Sequence, residues 1–195
     1  MITIVSGIPR SGTSLMMQML SAGGVPLLTD MSRIRDQNNP RGYCEWEPVK
    51  SLFRAPEVIA AAEGKAVKVI SSLLPALSNR YQYRVIFMNR PLAEIVASQN
   101  KMLERLGKEV PSTPVESVIT SFERHLDEMR VWLAKQRNIA VLYIEYASVL
   151  EKPEQIARTV SLFLGKVLDV KAMSGQVEQS LYHEKTILGL QAKSV

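Results

Sequence analysis

The residues best placed for chemistry stand together near the start of the chain: Gly7, Arg10, Ser11, Gly12, Thr13 and Ser14. Two glycines bracket a short polar stretch that holds one cation, and hydroxyls follow on either side of the second glycine. Glycine permits a tight turn in which backbone amides converge, and the start of a following helix adds positive potential, so the stretch favours an anion. The triphosphate-binding form of such a loop, G-x-x-x-x-G-K-[ST], carries a lysine directly after its second glycine to reach the outer phosphates. Here Thr13 stands in that place and the cation lies upstream, at Arg10. The loop is therefore suited to one phosphate and lacks the usual grip on a triphosphate. A small-molecule kinase and a nucleotide-binding protein without transferase activity share this frame, and Thr13 argues against the first.

The elements that position the loop can be read from hydrophobic spacing. An apolar run, Ile2 to Gly7, leads into it, and Leu15, Met16, Met19 and Leu20 recur behind it at helical intervals up to Gly23-Gly24. From 29 to 47 the chain is polar and rich in turn residues, which predicts a long, substrate-facing loop. A weak helical pattern fills 47–62. Apolar segments at 65–70, 83–88 and 139–146 read as strands, and Pro91 suits the first turn of a helix reaching about Arg105. Thr113, Pro114 and Glu116 have the spacing of an N-cap, a first helical position and a capping box. The helix they open carries one stripe, Val115, Val118, Ile119, Phe122, Leu126, Met129, Trp132 and Leu133, with His125 beside it as a partly exposed residue without a catalytic partner. Pro153 opens a further helix that Gly165 stops, and the tail beyond it is weakly patterned. Apolar strands alternating with helices predict an α/β chain with a three-layer P-loop-type fold, its central, mainly parallel sheet flanked by helices.

A length of 195 residues fits a single domain, 1–195. The formal charge of +5 suits an anionic ligand, and because Lys and Arg are scattered rather than blocked, no nucleic-acid partner is expected. One cysteine, Cys44, excludes an internal disulfide framework and reads as a bystander thiol in a reducing, cytoplasmic setting. No apolar stretch approaches the roughly 18 to 20 residues that span a bilayer, and the N-terminal run is cut short by Pro9 and Arg10, unlike a secretory signal.

Pro9-Arg10-Ser11-Gly12-Thr13-Ser14 resembles the 5′-phosphosulfate loop of sulfotransferases, P-[KR]-S-G-T-[ST]. The form is similar to that of small bacterial sulfotransferase-like proteins, which also carry an Asn-Pro-x-Gly-Tyr segment, here Asn39 to Tyr43, and the likeness spans roughly 2–165. It implies that Arg10, Ser11, Gly12, Thr13 and Ser14 hold the 5′ end of 3′-phosphoadenosine 5′-phosphosulfate (PAPS), whose product is 3′,5′-ADP, with no metal. Arg90 stands at the carboxyl end of a predicted parallel strand, where open α/β sheets bind ligands, and Ser98 follows two turns into the next helix. The resemblance assigns Arg90 and Ser98 to the 3′-phosphate and Tyr146 to the adenine, although Ala147-Ser148 replace the acidic pair that usually follows that tyrosine.

The expected chemistry is sulfuryl transfer to an unidentified hydroxyl or amine acceptor. Arg10 cannot lose its proton at ordinary pH, so it would stabilise charge on the departing phosphate oxygen by electrostatics alone. The acceptor must give its proton to a base. Relatives carry a Lys-x-His segment on the second strand; Lys68 is kept, but Ile70 stands where the histidine would be. The expected substitute is a carboxylate of the 29–47 loop, Glu45 rather than Glu47. Composition and spacing do not indicate an oligomeric state.

Overall fold

Residues 1–30, 42 and 44–177 are described by the structure, a computed structural model. Strand β1, Ile2–Gly7, is buried along its whole length, as a run of Ile and Val in the middle of a sheet should be. It lies between β2, Ala66–Lys68, and β3, Tyr83–Asn89, and β4, Ile139–Glu145, completes a four-stranded sheet in the order β2-β1-β3-β4. Every pairing is parallel, with Val5 level with both Lys68 and Ile86, and Asn89 level with Glu145. All four strands thus end on one edge, and the strand-to-helix turns that follow β1 and β3 meet there.

Alternation along the strands divides the core in two. Val5, Ile86, Met88 and Ile144 pack against helix α1, Thr13–Ala22, and against the later helices α4 (Tyr146–Glu151), α5 (Pro153–Leu164) and α6 (Val170–Ser174). Ile2, Ile4, Val67, Val69, Val85 and Phe87 face the other way, onto Leu52, Ile59, Leu74 and Leu133. Helix α2, Leu92–Arg105, follows β3, and α3, Val115–Ala134, leads back to β4. This is the three-layer arrangement expected from the alternating pattern. Among the described residues no helix is long and apolar enough to cross a membrane.

Several local expectations are corrected. The weakly helical stretch after Trp46 is two 3₁₀ turns, Glu47–Ser51 and Pro56–Ala62, each with a proline at its start. Pro91 caps α2 from outside rather than sitting in its first turn. The capping box at Thr113 and Glu116 does not form: α3 begins one residue later, with Pro114 as its cap and no side-chain capping bond. Of the long α3 stripe only Met129 and Leu133 are buried; Leu126 and Trp132 pack partly buried against the core, and Val115 is exposed. His125, expected to lack a partner, is hydrogen-bonded. β4 is not covered on both faces, since it is an edge strand with Tyr143 open to solvent. Most of the expected substrate-facing loop, residues 31–41 and 43, lies outside the described residues.

Candidate active site

The turn between β1 and α1 is shaped by its two glycines. Gly7 has φ +145°, and a Cβ there would lie 2.4 Å from Ser11 Oγ and 2.7 Å from the Met88 carbonyl. Gly12, at φ +100°, has the ring of Tyr146 2.4 Å from where its Cβ would be. Arg10 also takes a left-handed conformation, φ +78°, which is uncommon for a residue with a side chain and marks a constrained turn. Helix α1 begins directly at Thr13 with no side-chain cap and no acidic residue in its first turn, so neither competes with an anion for its leading amides. Ser11 is 1% exposed, and its hydroxyl has no hydrogen-bond partner among the described residues. A buried hydroxyl of this kind costs free energy unless a ligand or water satisfies it. Uncapped amides together with an orphaned hydroxyl fit a bound phosphate group.

The end of β3 supplies the second part. Arg90 donates to the Arg10 carbonyl (3.2 Å), pairs through Nε with Glu94 (3.0 Å), and lies over the Tyr146 ring at 4.7 Å from its centroid. Arg10 in turn donates from Nε to the hydroxyl of Ser98 (3.0 Å). The resemblance assigns Arg10 to one end of the nucleotide and Ser98 to the other; in the fold they touch. Arg10, Gly12, Arg90, Ser98 and Tyr146 therefore form one contiguous cationic and aromatic surface at the carboxyl edge of β1 and β3. Beside it Asn89 donates to Glu145 (3.0 Å) across the paired ends of β3 and β4.

The model of the sulfotransferase domain family matches residues 2–186, nearly the full chain. The chain belongs to the sulfotransferase family. No curated protein matches its sequence. Solved structures give the same fold: the sulfotransferase STF1 from Mycobacterium tuberculosis H37Rv superposes with a TM-score of 0.61 at 14% identity, over 89% of this chain and 70% of that one. The sulfotransferase domain of the Synechococcus PCC 7002 olefin synthase gives 0.52 at 17% identity, over 88% and 75%. Retinol dehydratase, solved with androsterone and the inactive cofactor PAP, gives 0.51 at 15% identity, over 90% and 62%. These identities speak for shared architecture.

On the far side of the loop, this sulfotransferase places Lys68, from the end of β2, with its ammonium 3.2 Å from Ser14 Oγ and 3.6 Å from Glu45 Oε1. The lysine side chain is only 10% exposed. Glu45 is anchored through its main chain, its carbonyl accepting from Thr29 Oγ1 (2.9 Å) and from the Asp30 amide (3.2 Å). Cys44, just before it, has φ +51°. Further along the same edge Ile70 is 36% exposed, and the buried hydroxyl of Ser71 lies 2.8 Å from Nε2 of His125 on α3. The sequence reading missed three partners: Lys68 as the ion-pair partner of Glu45, Glu94 behind Arg90, and Ser71 behind His125. A signal existed for Glu94, which stands one helical turn after Arg90. For the other two the partners are far apart in the chain and no local spacing reports them.

Proposed function

We propose that this sulfotransferase moves a sulfuryl group from 3′-phosphoadenosine 5′-phosphosulfate to a hydroxyl or amine acceptor, with release of 3′,5′-ADP. The observation that carries the reading is the direct linkage of the phosphate loop to the end of β3, through the bond from Arg90 to the Arg10 carbonyl and from Arg10 to Ser98. Two anion-binding sites joined in this way suit a nucleotide phosphorylated at both ends. When bound, the donor supplies a sulfuryl group activated by its attachment to a phosphate.

In this reading the leading amides of α1 and the hydroxyls of Ser11, Thr13 and Ser14 hold the 5′ phosphate, and Arg90 and Ser98 hold the 3′ phosphate. Tyr146, packed on Gly12 and under Arg90, flanks the adenine. Arg10 belongs to both halves, and its permanent charge favours the anion that develops on the departing phosphate oxygen. Lys68 brings a second cation to Ser14. Glu45, the expected proton acceptor, turns its carboxylate to that lysine and so fixes its ammonium beside the loop. The single cysteine is consistent with a cytoplasmic site of action.

Incubation with PAPS and a panel of alcohols, phenols and amines tests the proposal. The expected result is release of 3′,5′-ADP matched by a sulfated product. Phosphoryl transfer from ATP with magnesium, and none from PAPS, would overturn it in favour of a kinase; nucleotide binding with no turnover of either would indicate a binding protein.

A further inference from the structure

Resting on the sulfotransferase reading, we propose that the acceptor's proton is taken by His125, delivered to the acceptor side from α3 rather than from β2, with Ser71 as its positioning residue. The chain has two histidines, of which His183 lies outside the described residues. β2 runs in register with β1, Val5 opposite Lys68, and the amide of Val69 still bonds the Val5 carbonyl. The chain from Lys68 to Ser71 therefore leaves the sheet beside the start of the phosphate loop. Lys68 marks the loop end of this stretch by its bond to Ser14, and Ser71 is three residues on, within about 10 Å even when fully extended. Between them Ile70 presents an exposed apolar side chain where no proton can be accepted.

His125 reaches this stretch from a different element. Its Nε2 lies 2.8 Å from Ser71 Oγ, and Ser71 is 2% exposed, so the contact is sheltered. Among the described residues the ring has no other hydrogen-bond partner. In the tautomer that donates Nε2–H to Ser71, Nδ1 carries the lone pair that takes the acceptor's proton. An imidazole can donate from one ring nitrogen while the other accepts a proton, the pairing this work needs. Glu45, the other candidate, pairs its carboxylate with Lys68.

The acceptor oxygen or nitrogen forms a bond to sulfur, and the bond from sulfur to the 5′-phosphate oxygen breaks. Its electron pair stays on that oxygen, leaving 3′,5′-ADP, and the acceptor's proton moves to Nδ1 of His125.

The test compares wild type with His125→Gln, His125→Ala, Ser71→Ala and Ser71→Thr. Formation of 3′,5′-ADP from PAPS is followed with water alone and with 2-naphthol as acceptor probes, alongside calorimetric binding of 3′,5′-ADP. The expected outcome is a fall in kcat of about 100-fold or more in both His125 variants, with 3′,5′-ADP affinity kept within about twofold. Added imidazole should restore turnover to His125→Ala, which a merely structural residue would not allow. Ser71→Ala should lose about tenfold, through a misplaced ring, and Ser71→Thr should regain most of it. A His125→Gln enzyme with wild-type kcat, or a His125→Ala enzyme that is slow but insensitive to imidazole, would overturn the assignment. Failure of the wild type to bind 3′,5′-ADP would instead overturn the donor reading.

Discussion

The guanidinium of Arg90 is held from three directions, by Glu94, by the Arg10 carbonyl and by the face of Tyr146. Its side chain is 11% exposed, so it is sheltered and pre-oriented, a condition in which a charge-assisted contact to phosphate is strong. Arg90→Ala should weaken 3′,5′-ADP binding by about 100-fold, from loss of roughly 3 kcal/mol, and 5′-AMP binding by much less; calorimetry on both ligands checks this. Glu45→Gln removes the anion that fixes Lys68. Turnover should fall by about tenfold or more from loss of electrostatic preorganisation, with 3′,5′-ADP affinity kept within about twofold, which steady-state rates and titration read separately. The turn around Gly7 and Gly12 was legible because a tight strand-to-helix turn at positive φ needs glycine. The contacts of Lys68 with Ser14 and of His125 with Ser71 were not, since each joins residues 54 positions apart.

Helix α3 shows how a clean pattern can mislead about depth. Its stripe of Val, Ile, Phe and Leu is continuous, yet only Met129 and Leu133 are buried, while Leu126 and Trp132 are partly buried against the core and Val115 is exposed. Strong periodicity reports a helix, whereas how much of it is covered depends on neighbours the sequence does not reveal. Helix α5 is the opposite case, ended by Gly165 at φ +60° as its sequence predicts. Its last turn is also tied to β3: Arg84 donates to the Phe163 carbonyl and places its guanidinium 5.9 Å from the Phe163 ring centroid. Arg84→Ala should cost about 1–2 kcal/mol and lower Tm by a few degrees without changing nucleotide affinity. Thermal melts with and without 3′,5′-ADP measure both effects. The stretch after Trp46 forms 3₁₀ turns because too few well-spaced apolar residues follow Pro48 and Pro56 to sustain an α-helix.

At the scale of the molecule, the parallel sheet gathers the ends of β1, β2, β3 and β4 on one edge, and residues from every strand end or the turn after it meet there. The alternation of strands and helices was enough to predict this architecture, while the strand order needed the structure. The opposite end of the sheet carries a stability switch. Tyr83 at the start of β3 is buried, donates to the Ser78 carbonyl (2.8 Å), and burial pushes its phenol up to about 12. An acid whose proton is held more tightly in the folded state favours folding fully below its unfolded value near 10 and loses that contribution as pH rises toward 12. Urea unfolding should therefore show stability falling between about pH 10 and 12, with a shallower fall in Tyr83→Phe. At the other edge, a nucleotide phosphorylated at both ends should fit two linked anion sites. Calorimetric titration with 3′,5′-ADP, 5′-AMP and ATP with magnesium tests it most directly. We predict that 3′,5′-ADP binds about 100-fold more tightly than either of the others; equal affinity for 3′,5′-ADP and 5′-AMP, or a preference for ATP with magnesium, would contradict it.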